Sequence, residues 1–444
     1  MLTKNQKKIV LLLGALVAVV SVGYSFYFRI RPAVDARAYN DIAWNITQGN
    51  GYRESLDIPL SEDKSIVRVG PGYEFFLAGI FFAFGHHLEA VWVIQALLMV
   101  FSFFLVFMFS REVFKENWSY YFGLASAVLI GFSPDLITMQ GMLMAETLGV
   151  FLVILTSYLF FRYYNNPLRP FWLVILLGLS LGAAGIVRTP ALALFLPMAF
   201  YFVWNRNYMR FLIFIFAVIV LFIPWTIRNY NIFNRFIPTN AVGGYNLFIG
   251  NHHGASGEQG DDLFKAADNY ESQLGYIKAS DKETSEAIHF IVANPLEFFT
   301  ITLKRINIYF SFARPNGFWF HLHGLSKVLT LISSSIYSVV LFTLGFWGVL
   351  QIPKLGVENK KRGWFLLFFL VMMPLSIVGL VVETRYRFLS YPFFAIFAGL
   401  AVEDIIRRRI FWKPALIVAS LLFINTAIDI LRNFGRIIDK IKTL

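Results

Sequence analysis

The chain has 444 residues, 57% of them hydrophobic and 15% charged, against about 25% charged in an ordinary soluble domain. Its 49 Phe, 20 Tyr and 10 Trp are spread over apolar runs long enough to cross a bilayer core of about 30 Å, which excludes an ordinary soluble enzyme and makes the expected fold class an all-α polytopic membrane protein. The lack of Cys removes disulfides, thiolate catalysis and Cys-ligated metals together, and the net charge of +12 is no sign of nucleic acid, because Lys and Arg concentrate in the short cytoplasmic loops of membrane proteins.

Lys4, Lys7 and Lys8 precede an apolar stretch from Val10 to Phe28. It is too long for the hydrophobic region of a signal peptide and lacks a small-residue cleavage site, so it reads as an uncleaved anchor entering from the cytoplasm. Further apolar stretches lie near 88–110, 118–133, 141–161, 171–187, 190–204, 211–227, 325–352, 364–382, 388–405 and 414–430, predicting a bundle of about 11 transmembrane helices. Alternation puts 1–8, 111–117, 162–170, 205–210, 353–363 and 406–413 on the cytoplasmic side. Basic residues collect there, among them Lys354, Lys360, Lys361 and Arg362 in one piece and Arg407, Arg408, Arg409 and Lys413 in another, which sets the orientation. Residues 71–84 are too short for a comfortable span, and counting them would move Arg111 and Lys115 outside; they read as an interfacial or re-entrant helix.

Two large segments, 29–70 and 228–324, then face the non-cytoplasmic side. The first opens with Asp35, followed by Tyr39, Ala43, Ile46 and a turn at Gly49-Asn50-Gly51-Tyr52, the spacing of an interfacial helix with its carboxylate at the membrane edge. The second contains Asp261 to Val292, where apolar residues recur among charges, read as two short surface helices stopped at Asn294-Pro295. The tail from Arg432 to Leu444 reads as amphipathic on the outer surface. The chain thus divides into 1–227, a transmembrane module including the loop 29–70; 228–324, a loop with short helices; and 325–444, further transmembrane helices and a tail.

Ionisable residues at membrane depth are costly and default to function. Asp35 is the first. Glu146, just inside the fourth span, and Arg188, in Val187-Arg188-Thr189-Pro190, share its depth and side; a pair between them, or between Asp35 and an Arg, would serve structure as well as a substrate. Arg68 precedes Gly70-Pro71-Gly72-Tyr73, and Arg385 and Arg387 lie in Glu383-Thr384-Arg385-Tyr386-Arg387. Guanidiniums on the translocated side suit a lipid phosphate or pyrophosphate; the bland alternative is snorkelling to headgroups. Arg228 and Asn229, with the glycine-rich run ending in Asn251, offer sugar-type hydrogen bonding or simply an ordered loop. The pairs His252, His253 and His321, His323 are weak metal signals without a carboxylate partner.

The run Asp35-x3-Tyr39-x3-Ala43-x2-Ile46-x2-Gly49-x-Gly51-Tyr52, then Arg68-x-Gly70-Pro71-Gly72-Tyr73, Glu146, Gly182-x5-Arg188-x-Pro190, Pro224-Trp225-x2-Arg228-Asn229 and Gly243-Gly244-x-Asn246-x3-Gly250-Asn251 resembles glycosyltransferase family 39 of the GT-C superfamily, which includes protein O-mannosyltransferases and the lipid A aminoarabinose transferase. The resemblance covers about the first 320 residues, with a weaker echo from Arg385 to Pro392. It implies a GT-C-type bundle with external juxtamembrane helices and loops, and an enzyme that takes a sugar from a polyprenyl-phosphate donor on the external face. It further implies that Asp35 is the base or acceptor-orienting group, that Arg68 binds the donor phosphate with Arg385 or Arg387, and that Glu146 and Arg188, with Arg228, Asn229 and Asn251, line the sugar cavity. Here Ala36 follows Asp35 where relatives often carry a second acid, and no DxD pattern is present; no metal ligands and no cofactor are assigned, and a divalent ion stays open. The expected partners are the lipid-linked donor, a glycan, lipid or protein acceptor, and membrane lipids, without nucleic acid. The expected location is a bacterial inner or plasma membrane with the N-terminus cytoplasmic. A transporter or flippase of lipid-linked sugars would also want external cations, but usually shows repeated halves and midplane breaks; an O-antigen-ligase-like transferase would differ in using a diphosphate-linked donor.

Overall fold

Outside a closed barrel, only a helix satisfies its own backbone groups in hydrocarbon, and the apolar stretches of this chain are helical. The computed structural model describes residues 2–68, 70–115, 118–258, 263–314, 320–407 and 412–435, and among these no strand occurs. In chain order the helices are α1 (Lys4–Phe28), α2 (Asp35–Thr47), α3 (Gly72–Phe84), α4 (Leu88–Val113), α5 (Tyr120–Gly131), α6 (Pro134–Gln140), α7 (Glu146–Asn165), α8 (Phe171–Val187), α9 (Phe195–Trp204), α10 (Tyr208–Ile219), α11 (Ile223–Phe233), α12 (Val242–Gly250), α13 (Phe264–Leu274), α14 (Tyr276–Ala293), α15 (Pro295–Phe310), α16 (Gly324–Gln351), α17 (Val357–Leu375), α18 (Tyr391–Ile406) and α19 (Trp412–Arg432).

Among the described residues, six helices, α1, α4, α7, α16, α18 with its leading turn, and α19, are long and apolar enough to cross a membrane; α5 with α6 and α10 with α11, each pair bent by 48°, raise the number to eight if each pair is one span. The eleven apolar stretches map onto helices, but α8 and Thr189–Trp204 are shorter, and α17 opens on Glu358, Lys360, Lys361 and Arg362. Ser133-Pro134 and Ile223-Pro224 break the bent pairs, because proline starts a new helix more readily than it continues one. Residues 71–84 form one short helix, α3, packed on α2.

Small residues let the long helices approach. A Cβ on Gly348 of α16 would run into the Phe397 carbonyl of α18, and one on Gly399 of α18 into Phe122 and Ser126 of α5. Gly178 and Gly182 likewise seat α8 on the backbone of α10, where an added Cβ would stand 2.7 Å from the Phe214 and Val218 carbonyl oxygens.

Both long segments gather at the end of the bundle away from Lys4, Lys7 and Lys8. Ile42, Tyr52 and Ile66 of the first pack with Ile237 of the second and with Trp225 just before it, and Ala241 N–H donates to the Ile66 carbonyl at 3.0 Å. The two expected surface helices are α13 and α14, Asp261 lying outside the described residues. Pro295 does end α14 but also opens a further helix, α15, as proline at a first helical position can. Arg305 of α15 is fully buried and donates to the carbonyls of Gly250 and of Val378, the latter at 3.0 Å, and to Asn251 Oδ1 at 3.1 Å. The tail beyond Gly435 lies outside the described residues.

Two outcomes follow from this packing. Gly348→Val is expected to cost about 1–3 kcal/mol by overpacking, read as a lower midpoint in thermal unfolding of the detergent-solubilised protein; an unchanged midpoint would deny the close approach. Glu283 of α14 is 1% exposed and its pKa is pushed up to about 7 by burial and then by Glu271 and Glu286. The folded state therefore holds this proton more tightly than the unfolded chain, whose value is 4.5, so its contribution is complete below that pH and is lost as pH rises through about 7. Amide exchange in α14, corrected for intrinsic rates, should show falling protection between those values, and Glu283→Gln should flatten the trend.

Candidate active site

Helix ends bring the charged residues together. Asp35 is the first residue of α2 and Glu146 the first of α7, while Arg188 caps the C-terminal end of α8; each charge has the sign that its helix dipole favours. Val34, immediately before Asp35, has φ 51, a left-handed conformation that a β-branched residue adopts only under constraint, so the chain turns sharply where the carboxylate is placed.

Arg68 follows a 3-10 turn, Lys64–Val67, whose start is fixed by the buried Asp63. Burial would raise the Asp63 pKa, but hydrogen bonds from the Ser65 hydroxyl and from the N–H groups of Glu54, Ser55 and Ser65 hold it below the usual carboxylate value. After Arg68 the chain lies directly on the last turn of α8: a Cβ on Gly70 would collide with the Ile186 carbonyl oxygen, and one on Gly72 would stand 2.7 Å from Val187 Cγ2. The Gly-Pro-Gly sequence therefore fixes the arginine against α8, one residue short of Arg188.

The resulting cluster alternates in sign. Arg385 Nη1 lies 3.3 Å from Asp35 Oδ2 and 3.8 Å from Glu146 Oε1, and Arg188 Nη2 lies 3.0 Å from Glu146 Oε1. Arg68 Nη1 lies 3.8 Å from Asp35 Oδ1. Two further carboxylates hold the arginines on their other edges. Glu54 takes Arg68 in a fork, at 3.0 Å from Nε and 2.9 Å from Nη2, and Glu383 accepts from Arg385 Nε at 2.7 Å. Burial would lower the Arg68 pKa, but Glu54 and then Asp35 raise it above the ordinary value. The Tyr386 ring sits 5.6 Å from both the Arg188 and Arg385 guanidinium carbons. Tyr39, one turn after Asp35 and 1% exposed, packs edge-on against Tyr73 at 5.5 Å, and the fully buried Glu74 stands behind.

The remaining expected site residues go elsewhere. Arg387 lies apart from Arg385: it is 1% exposed and donates to the Tyr391 hydroxyl at 2.9 Å, the Ser311 carbonyl at 2.9 Å and Ser338 Oγ at 3.0 Å, with Asp135 Oδ2 at 3.8 Å. Asp135 also accepts from Ser334 and from the Tyr391 hydroxyl, so this guanidinium ties α6, α16 and α18 together and is not placed to meet a phosphate. Arg228 donates to the Tyr52 carbonyl and to Asn229 Oδ1, both at 2.8 Å, and lies over the Trp225 ring at 4.9 Å; Asn229 donates to the Ile237 carbonyl at 2.8 Å. Asn251 donates to the Gly379 carbonyl at 3.1 Å and receives Arg305. These three side chains hold the loops over the site rather than facing the charged cluster. His253 pairs with Glu297 at 2.8 Å and His321 with Tyr24 at 2.9 Å, and among the described residues no group of three or more His, Asp or Glu is arranged to hold a metal ion. Sequence reasoning missed Glu54, which lies 14 residues before its partner, and passed over Glu383, whose nearness to Arg385 was the available signal.

Residues 68–227 match the family model described as dolichyl-phosphate-mannose-protein mannosyltransferase, and that stretch carries Arg68, Glu146 and Arg188. The bundle superimposes on the oligosaccharyltransferase of Archaeoglobus fulgidus in the apo form with a TM-score of 0.50 at 14% identity, covering 94% of this chain and 54% of that one. The fold is that of the GT-C superfamily. A second GT-C structure, ArnT from Cupriavidus metallidurans bound to undecaprenyl phosphate, gives a TM-score of 0.47 at 14% identity, with coverage of 93% and 63%. The chain thus spans between half and two thirds of the length of these relatives. No curated protein sequence matches it. Its apolar helices and this GT-C fold make it an integral membrane protein.

Within this GT-C bundle, removing one member of a buried ion pair leaves the other uncompensated, at about 3–5 kcal/mol, whereas an apolar replacement of both is often tolerated. Arg387→Met should therefore lower the thermal midpoint sharply, and adding Asp135→Leu should recover part of the loss in a double-mutant cycle. A midpoint unmoved by Arg387→Met would contradict the structural role.

Proposed function

We propose that the chain is a membrane glycosyltransferase that moves a sugar from a polyprenyl-phosphate donor to an acceptor on the non-cytoplasmic face. The observation that carries the reading is the Asp35 carboxylate held 3.3 Å from Arg385 and 3.8 Å from Arg68 at one end of a GT-C bundle. The family model matched by residues 68–227 is named for a dolichyl-phosphate-mannose-dependent enzyme, and one structural neighbour is bound to undecaprenyl phosphate.

In this reading the acceptor hydroxyl oxygen attacks the anomeric carbon as the bond from that carbon to the phosphate oxygen breaks. Asp35 takes the hydroxyl proton, and the polyprenyl phosphate leaves with the bonding electrons. Charge grows on the departing oxygen, where Arg68 and Arg385 supply the fixed positive field that usually contributes most to such transfers. One displacement inverts the anomeric centre. Glu146 and Arg188 hold Arg385 from behind, and the step as written uses no metal. Arg385 comes from the segment 325–444, so that segment completes the site begun by 1–227.

The fold supports this orientation: α1 carries Lys4, Lys7 and Lys8 at its start and leads from its other end to Asp35, and lysines favour the cytoplasmic end of a span. Transport of a lipid-linked sugar fits the geometry less well, because the ion pairs gather at helix ends on one side and not at a midplane crossing. The sugar, hexose or pentose, and the glycan, lipid or protein acceptor are left to experiment. We expect Asp35→Asn to lower transfer by about 100-fold or more, the scale of a lost general base. Lipid and glycan mass spectrometry should then show a polyprenyl-phosphate sugar accumulating and one glycan modification missing, both in cells lacking the gene and in cells carrying the Asp35→Asn copy. Wild-type glycans with Asp35→Asn would remove this residue from the mechanism.

A further inference from the structure

The two arginines nearest Asp35 are held more tightly by other acids than by Asp35 itself. Charge-assisted hydrogen bonds settle at about 2.7–2.9 Å. Glu54 meets Arg68 at 2.9 and 3.0 Å and Glu383 meets Arg385 at 2.7 Å, while Asp35 stands 3.8 Å from the first and 3.3 Å from the second. Among the four acids, the Asp35 side chain is 23% exposed, against 27% for Glu54, 16% for Glu383 and 1% for Glu146, so what sets Asp35 apart is the length of its contacts.

The charge count sharpens the point. Asp35, Glu54, Glu146 and Glu383 are ion-paired to Arg68, Arg188 and Arg385, so carboxylates already outnumber guanidiniums. A phosphate entering between Arg68 and Arg385 would have to compete with these anions. Glu146 is 1% exposed and clasped by Arg188, and Glu54 and Glu383 each make short contacts. Asp35 is the acid that can give way.

We propose that Glu54 and Glu383 are positioning residues that hold Arg68 and Arg385 apart from Asp35, and that the donor phosphate enters between the two guanidiniums and displaces the Asp35 carboxylate. The inference rests on the polyprenyl-phosphate reading of the site. Its consequence is an order of events. Before the donor binds, the Asp35 carboxylate is engaged by both guanidiniums. Once the phosphate has taken both cations, the carboxylate is released from them and is free to meet the acceptor hydroxyl. Donor binding therefore precedes acceptor activation, and the base stays masked while the site is empty of phosphate.

The test is the affinity of the purified full-length chain for undecaprenyl phosphate, with undecaprenol as the control lacking phosphate, measured by native mass spectrometry from detergent. Asp35→Asn removes the competitor and should tighten undecaprenyl phosphate by about 5-fold or more, the scale of a typical coupling between sites. Glu54→Gln also removes one negative charge but frees Arg68 to close on Asp35, so it should weaken binding, and Glu383→Gln on a separate segment should do the same. Thermal midpoints of each variant confirm a folded protein, and the two Gln variants act as independent tests should one fail to fold. Equal tightening in all three would mean that only the field matters and would overturn the proposal, as would no change in any. Failure of the wild-type chain to prefer undecaprenyl phosphate over undecaprenol would overturn the polyprenyl-phosphate reading, and this proposal with it; preference without the opposite signs would overturn this proposal alone.

Discussion

The alternating ion pairs Arg68, Asp35, Arg385, Glu146 and Arg188 are the constraint on which the arrangement of this end of the bundle depends. They join the starts of α2 and α7, the end of α8, the segment before α3 and the turn before α18. Each ion would be costly alone at this depth. Together they form a cluster in which nearly every charge is answered, and the small residues beneath it, Gly70 and Gly72 against α8, allow the backbones to come close enough for the side chains to meet.

A second set of buried arginines serves structure. Arg387 ties three helices through Asp135, Ser338 and Tyr391, and Arg305 pins the loop at Gly250 and Asn251 to Val378. Arg385 and Arg387 occupy the same 3-10 turn, Thr384–Ser390. With three residues per turn, side chains two apart point in different directions. One therefore enters the charged cluster and the other the packed core, although their local sequence is nearly the same.

This explains what the sequence could show and what it could not. Asp35, Arg68, Glu146, Arg188 and Arg385 stood out because ionisable side chains in a chain this apolar need a reason, and they do converge. The helix α2 and the surface helices α13 and α14 were legible from amphipathic spacing. The gathering of both long segments at one end was legible from the distribution of Lys and Arg. The division of labour between Arg385 and Arg387 was not, since it depends on which side of a tight turn faces the core. Glu54 was invisible because its partner is brought to it by the capped turn at Asp63. Run length alone could not show that proline breaks α5 from α6 and α10 from α11, nor that Pro295 opens α15.

The central claim is that the charged cluster at Asp35 receives a lipid-linked phosphate. A structure of the chain in a lipid nanodisc with undecaprenyl phosphate bound tests it most directly. The account predicts the phosphate within hydrogen-bonding distance of Arg68 and Arg385, with Asp35 turned from both. A phosphate seated elsewhere in the bundle, with the Asp35 contacts to Arg68 and Arg385 intact, would contradict it.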